Sequence, residues 1–170
     1  VSARKAFDSG VWSRQSPTSR KKVLLRFAGL IEKNADYIAH LDSLDAGKPI
    51  TDCQQIDIPD VINTITWYAE SIDKLFDQIA PTGPENLGLI IREPIGVVAA
   101  ILPWNFPALM MAWKIAPALA AGNSVIVKPA EQSPLSAIYI AQLASEAGLP
   151  DGVFNVVPGL GEIAGKALGL

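Results

Sequence analysis

Pro103-Trp104-Asn105-Phe106-Pro107 sets one amide side chain between aromatic rings in a loop stiffened by prolines. An amide N–H is a neutral donor, and aimed in a dry pocket at an oxygen that becomes negative it stabilises an oxyanion. The same residues also fit an ordinary strand-to-helix turn, with Trp104 and Phe106 packed as core and Asn105 bonded to local backbone. Spacing alone favours that plainer account. Lys128-Pro129-Ala130-Glu131-Gln132-Ser133-Pro134 places a cation and a carboxylate just before a helical pattern begins. A surface ion pair explains them; so does a dinucleotide site, where an acidic side chain accepts hydrogen bonds from the adenosine ribose hydroxyls. A carboxylate there repels a 2′-phosphate, which argues for NAD over NADP. Pro158-Gly159-Leu160-Gly161-Glu162-Ile163-Ala164-Gly165 carries glycines that let backbone approach a ligand at a helix start. Their spacing departs from the usual three-glycine fingerprint, and a turn with close helix packing explains them equally well.

Other reactive residue types are sparse. Cys53 is the single cysteine, so no internal disulfide forms, and this fits a reducing compartment such as the cytoplasm. It sits in a helical or linking region without a nearby histidine, which argues against a nucleophile. His40 is the single histidine, expected on a partly exposed helix face, and with so few ligands no structural zinc site is expected. Met110, Met111 and Trp113 are core residues of a helix by default, although they would line a pocket flanked by that helix. The chain has 170 residues, 49% of them hydrophobic and 18% charged, with a formal net charge of −3. That composition supports a packed core and creates no basic field for nucleic acid or an acidic membrane surface. The longest apolar run, Gly96 to Leu102, is strand-sized and is cut by Pro103, so no membrane span is expected. The opening Val1-Ser2-Ala3-Arg4-Lys5 has neither an initiator Met nor the apolar block of a signal peptide, and the natural start is expected upstream.

The candidate loops need elements to hold them. Pro17, with caps at Thr18-Ser19, opens a helix in which Val23, Leu24, Phe27, Leu30 and Ile31 recur at helical spacing. A second helix, from Asn34 or Ala35 to Asp45, puts Ile38, Leu41 and Leu44 on one side and stops at Gly47 and Pro49. After a polar link, Pro59 opens a third helix with Val61, Ile62, Ile65, Tyr68, Ala69, Ile72, Leu75 and Phe76 on one face. Pro81, Gly83 and Pro84 break the pattern, and Leu87 to Arg92 reads as a strand of a hairpin. From Pro94 strands and helices alternate: strand Gly96–Leu102, helix Leu109–Ala121, strand Ser124–Val127, helix Pro134–Ala147, strand Val153–Val157, helix Glu162–Leu168. Apolar strands joined by amphipathic helices predict an α/β fold, a doubly wound parallel sheet covered on both faces. Ligands of such sheets bind beyond the carboxyl ends of the strands, after Leu102, Val127 and Val157, and each candidate loop stands at one of those ends. The expected division is 1–75 helical, 76–94 hairpin and 95–170 an incomplete Rossmann-like half.

Read together, Glu93-Pro94-Ile95-Gly96-Val97-Val98, the Pro103–Pro107 loop, Pro117-Ala118-Leu119-Ala120-Ala121-Gly122-Asn123 and Lys128–Pro134 resemble the aldehyde dehydrogenase superfamily in order and spacing. Glu146–Val153 and Asn155–Gly159 extend the resemblance, which covers the chain from about Phe7 onward. Trp67-Tyr68-Ala69-Glu70-Ser71-Ile72-Asp73-Lys74 is most similar to the bacterial amino-aldehyde oxidisers of the γ-glutamyl-γ-aminobutyraldehyde dehydrogenase kind. The resemblance implies that Asn105 donates to the oxyanion of a thiohemiacetal and that Lys128 and Glu131, with Pro129 and Ala130 between them, hold the adenosine ribose of NAD. It also implies that Leu102, Pro103 and Trp104 present backbone to the cofactor. Gly161 and Gly165 match positions beside the adenine and pyrophosphate; Phe106, Met110 and Trp113 match the aldehyde tunnel. The hairpin from Phe76 to Pro94 matches an oligomerisation arm, implying a homo-dimer or homo-tetramer. In the family a cysteine thiolate attacks the aldehyde, hydride passes to nicotinamide, and a glutamate-activated water releases the acid. Both residues are expected downstream of Leu170, so the 170 residues alone are expected to be inactive, and Cys53 matches no catalytic position. Two alternatives stay open: a non-catalytic nucleotide-binding or dimerising module from a truncated gene, and an acyl-phosphate-reducing or CoA-acylating member of the same superfamily.

Overall fold

The computed structural model describes residues 1–169; Leu170, the end of the expected 95–170 span, lies outside the described residues. The chain begins with helix α1 (Ser2–Ser9), followed by α2 (Pro17–Lys33) and α3 (Ala35–Ala46). α2 starts where Pro17 pre-sets helical φ, but its cap is Ser16, not Thr18 or Ser19: the Ser16 hydroxyl accepts the Ser19 N–H. α3 ends at Gly47, whose φ of 68° is the left-handed conformation that lets its N–H reach back to the Ser43 carbonyl.

The helix expected to open at Pro59 begins at Ile58, with Pro59 in its first turn, but the polar link before it is helical too. A short turn α4 (Ile50–Asp52) runs through a π turn (Cys53–Asp57) into α5 (Ile58–Ser71) and a 3-10 turn at Ile72–Lys74. Pro59 has no N–H to donate, and the wider i→i+5 turn before it, closed by the Ile58 N–H on the Cys53 carbonyl, carries the helix past that missing bond. α2 and α5 pack together, with Phe27, Ile31, Val61, Ile65 and Ala69 buried. Three apolar residues assigned to helix faces prove exposed: Leu44 at 76%, Leu75 at 71% and Phe76 at 77%. Leu44 lies on the outer side of α3, and Leu75 and Phe76 follow the last helical turn, where the chain has already left the bundle.

A hairpin of β1 (Gln78–Ala80) and β2 (Gly88–Ile90), antiparallel with Ile79 opposite Leu89, follows. The parallel sheet then builds in chain order from β3 (Val97–Ile101), β4 (Ser124–Lys128) and β5 (Phe154–Val156), linked by helices α6 (Pro107–Ala120) and α7 (Leu135–Glu146). Its register sets Ala100 beside Val127 and Val127 beside Val156. Because neighbouring strands are also consecutive, right-handed crossovers put α6 and α7 on one face, against Ala100, Val125 and Val127. The other face is less covered than expected, since Ile101 remains 55% exposed. α1 packs across β3 and β4. It is clamped there by the Trp12 indole N–H on the Leu119 carbonyl at 2.9 Å and by Gly152, where a side chain would meet Ser2. The last expected helix is a π turn (Gly161–Gly165) followed by α8 (Lys166–Leu168). Among the described residues no helix is long and apolar enough to cross a membrane.

Candidate functional site

Lys128 closes β4 with its side chain buried, 2% exposed, although it carries a charge. Burial of an ammonium is tolerated only when its donors are used, and Nζ donates to the Pro129 carbonyl at 2.6 Å and to the Gly159 carbonyl at 2.8 Å, with the Glu131 Oε2 at 3.4 Å. Lys128 therefore pins the loop after β5 to the end of β4. Glu131 itself is exposed. Its own backbone N–H first, then Lys128, and the Gly161 N–H from the opposite loop hold its carboxyl below the usual range. Gly165 is buried, and a Cβ built there would lie 3.7 Å from the Lys128 Cδ and 4.0 Å from the Ile101 Cδ1. Lys128, Glu131, Gly161 and Gly165 thus share one edge of the sheet, with Pro129 and Ala130 buried beneath.

The neighbouring loop is tied to that edge from two sides. The Leu102 N–H donates to the Lys128 carbonyl at 3.0 Å, and the Ser133 hydroxyl donates to the Trp104 carbonyl at 3.5 Å. Leu102 is buried, whereas Pro103, Trp104 and Asn105 are exposed. The packed-core account of this loop fails for Trp104, which is 56% exposed; only Phe106 is half-buried against the core. No hydrogen bond joins Asn105 to Lys128 or Glu131 among the described residues. On α6, Met111 is fully buried, but Met110 is half-buried and Trp113, expected as core by default, is 47% exposed. Helical geometry explains the split, because positions 110 and 113 share the side of α6 turned away from residues 108, 111, 112 and 115. Trp113 lines a cleft of about 320 Å³ beside β3 with Val98–Ile101 and Pro117.

Cys53 is fully buried, and burial, aided by Asp42 and Asp57, pushes its thiol up to about 11. A thiol so held stays protonated and inert near neutral pH. The His40 Nδ1 lies 2.6 Å from the Asp36 carbonyl on an exposed face.

Beneath the Asn105 loop lies a polar cluster that motif reading passed over. Asp42, 1% exposed, accepts the Ala108 N–H at 3.2 Å from the first turn of α6. Lys48 pairs with the buried Asp57 at 2.5 Å and sets Nζ 3.7 Å from the centroid of the Phe106 ring. A signal for Asp42 existed: it stands four residues after Ile38, on the buried stripe of α3. Burial pushes the Asp42 carboxyl up to about 6 from its ordinary 3.8, opposed by the Ser136 hydroxyl and the Ala108 N–H and aided by Asp57 and Asp45. The folded chain thus holds this proton more tightly than the unfolded chain. Its penalty is absent below about pH 4, grows as pH rises toward about 6 and is complete above, reaching about 3 kcal/mol. Asp42→Asn removes the titrating charge. Urea unfolding of the two forms is expected to show the variant gaining relative stability from about pH 4 to about pH 6; a pH-independent difference would contradict this.

The aldehyde dehydrogenase family model matches residues 1–169. The aminoacetaldehyde dehydrogenase of Pseudomonas aeruginosa is 56% identical over 169 residues, which are 99% of this chain and 34% of the relative. The NADP/NAD-dependent aldehyde dehydrogenase PuuC of Escherichia coli is 57% identical over 166 residues, 98% of this chain and 34% of the relative. Among solved structures, P. syringae AldA indole-3-acetaldehyde dehydrogenase in complex with NAD+ and IAA superposes with a TM-score of 0.97 at 59% identity, covering 98% of this chain and 34% of that one. The chain spans about a third of the length of these relatives. With its strand order, its loop blocks and nearly every residue accounted for in this way, the chain belongs to the aldehyde dehydrogenase family.

Proposed function

We propose that the intact protein oxidises an aldehyde to a carboxylic acid with NAD+, and that this chain supplies the oxyanion donor and the adenosine end of the cofactor cleft. One observation carries the reading. Lys128, Glu131, Gly161 and Gly165 meet at the carboxyl edge of a parallel sheet, next to the loop that presents Asn105. The donor set fits the ribose of a dinucleotide: an exposed, ionised Glu131 accepts from the vicinal hydroxyls, and the buried Lys128 ammonium reaches them by releasing its long contact to Glu131. NAD, when bound, accepts the hydride. Around it, Leu102, Pro103 and Trp104 offer backbone to the cofactor, and the Asn105 amide donates to the carbonyl oxygen as it becomes tetrahedral and negative. Phe106, Met110 and Trp113 line the approach of the aldehyde. The attacking thiolate comes from outside residues 1–169, because Cys53 is buried and protonated.

The substrate class we infer is the amino-aldehydes, supported by the aminoacetaldehyde dehydrogenase relative. A lean to NAD over NADP follows from the Glu131 charge, with the dual cofactor use in the name of the E. coli relative as the counterweight. The β1–β2 hairpin, which exposes Phe76, Ile79, Leu87, Leu89 and Ile91, is the proposed contact between copies in a homo-dimer or homo-tetramer. A cytoplasmic setting and the division into 1–75, 76–94 and 95–170 belong to the same reading. The test follows NADH formation by the intact protein with small amino-aldehydes and neutral aldehydes of matched length. We expect NAD+-dependent turnover with preference for the amino-aldehydes; no NADH with any aldehyde would refute the reading.

A further inference from the structure

Helix α6 begins immediately after the Asn105 loop, and its first turn has an unusual capping arrangement. The N-cap residue Phe106 has no side-chain acceptor, and Pro107 contributes no N–H. The next N–H, that of Ala108, is buried away from water and is taken by the Asp42 carboxylate of α3, 66 positions earlier in the chain. A carboxylate there also faces the positive end of the helix. Phe106 is held from the same side, between the core and the Lys48 ammonium, which Asp57 anchors in turn. One oxygen of the Asp57 carboxylate is buried without a hydrogen-bond partner, and Asp42 itself is 1% exposed. Such a floor destabilises the fold, and an apolar one of the same volume would not. Its placement directly beneath the catalytic loop gives the cost a purpose.

We propose that Asp42 is a positioning residue for Asn105: by clamping the first free N–H of α6 it fixes the residues from Trp104 to Phe106, so that the Asn105 amide points at the developing oxyanion. This rests on the oxyanion role given to Asn105 above. Asp42 touches neither aldehyde nor cofactor and acts only through α6. Its effect therefore belongs to kcat, not to cofactor binding, and disappears when Asn105 has no amide to aim.

A double-mutant cycle on the intact protein separates these cases. Asp42→Asn keeps a carbonyl acceptor but loses the charge-assisted bond, and Asp42→Leu leaves the Ala108 N–H without any acceptor. We expect kcat to fall about threefold with Asn and tenfold or more with Leu, with KM for NAD+ unchanged in both. In an Asn105→Ala background the same substitutions are expected to change kcat less than twofold. Equal losses in both backgrounds would overturn the proposal. So would a wild-type kcat in the Asn variant together with a Leu variant that does not fold, because Asp42 would then serve stability alone. The wild-type and Asn105→Ala proteins are assayed first. If Asn105→Ala costs nothing, the oxyanion reading itself fails and takes this inference with it; if it lowers kcat, the Asp42 arms alone decide.

Discussion

Asn105→Ala in the intact protein is expected to lower kcat by about 10²–10³-fold while leaving the affinity for NAD+ within a factor of about two. The side chain is exposed in a loop whose neighbours are fixed: Leu102 is bonded to the Lys128 carbonyl, the Trp104 carbonyl accepts from Ser133, and Phe106 rests against Lys48. An exposed amide contributes little to folding, so its removal leaves stability unchanged to within about 0.5 kcal/mol. In the proposed role it loses a donor to charge that exists only in the transition state, which is why the effect is expected on kcat. Steady-state kinetics with the preferred aldehyde, paired with a cofactor titration, checks both halves. A variant that binds NAD+ poorly but turns over normally would assign Asn105 to the cofactor instead.

Lys128→Met should weaken NAD+ binding by on the order of 100-fold and destabilise the fold, because this one ammonium serves two purposes. It satisfies the carbonyls of Pro129 and Gly159 in a buried position and neutralises Glu131 from within. Methionine fills similar space but donates nothing, leaving the buried Pro129 carbonyl unpaired at about 1–3 kcal/mol and the half-buried Gly159 carbonyl to water. The Gly159–Gly165 loop, tied to β4 through Gly159, loses its anchor, and the surface offered to the dinucleotide must then be ordered by the ligand itself. About 2.8 kcal/mol of lost binding corresponds to that 100-fold change. Titration with NAD+ followed by tryptophan fluorescence reads the affinity, and urea unfolding reads the stability. If the variant unfolds more easily but binds NAD+ normally, Lys128 is a scaffold residue only, and Glu131 carries the ribose contact alone.

These two residues show how differently parts of the site were legible. Asn105 was visible as a candidate because an amide between prolines at the end of an apolar strand is a local pattern, written in contiguous residues. Yet spacing favoured a packed turn, and it took the 56% exposure of Trp104 to overturn that account. For Lys128 the residue type and its place at a strand end suggested a ligand, but its bond to the Gly159 carbonyl spans 31 positions and no motif encodes it. Asp42 is marked by no motif for a related reason, since its partner Ala108 lies 66 positions away on another helix. Pro59 marks the start of α5 to within one residue, but the polar stretch before it, which reads as a link, is helical as well, because a π turn joins α4 to α5.

By itself the sequence determined the alternation of strands and helices, the hairpin and the loops that end at the carboxyl edge of the sheet. These follow from hydrophobic period and turn chemistry, which act over a few residues and need no knowledge of where the chain goes next. Only the tertiary structure decided which charged groups are buried, what satisfies them and which aromatic faces remain open. Those outcomes depend on segments brought together from distant positions, and the price of burying a charge is set by whichever partners the fold delivers.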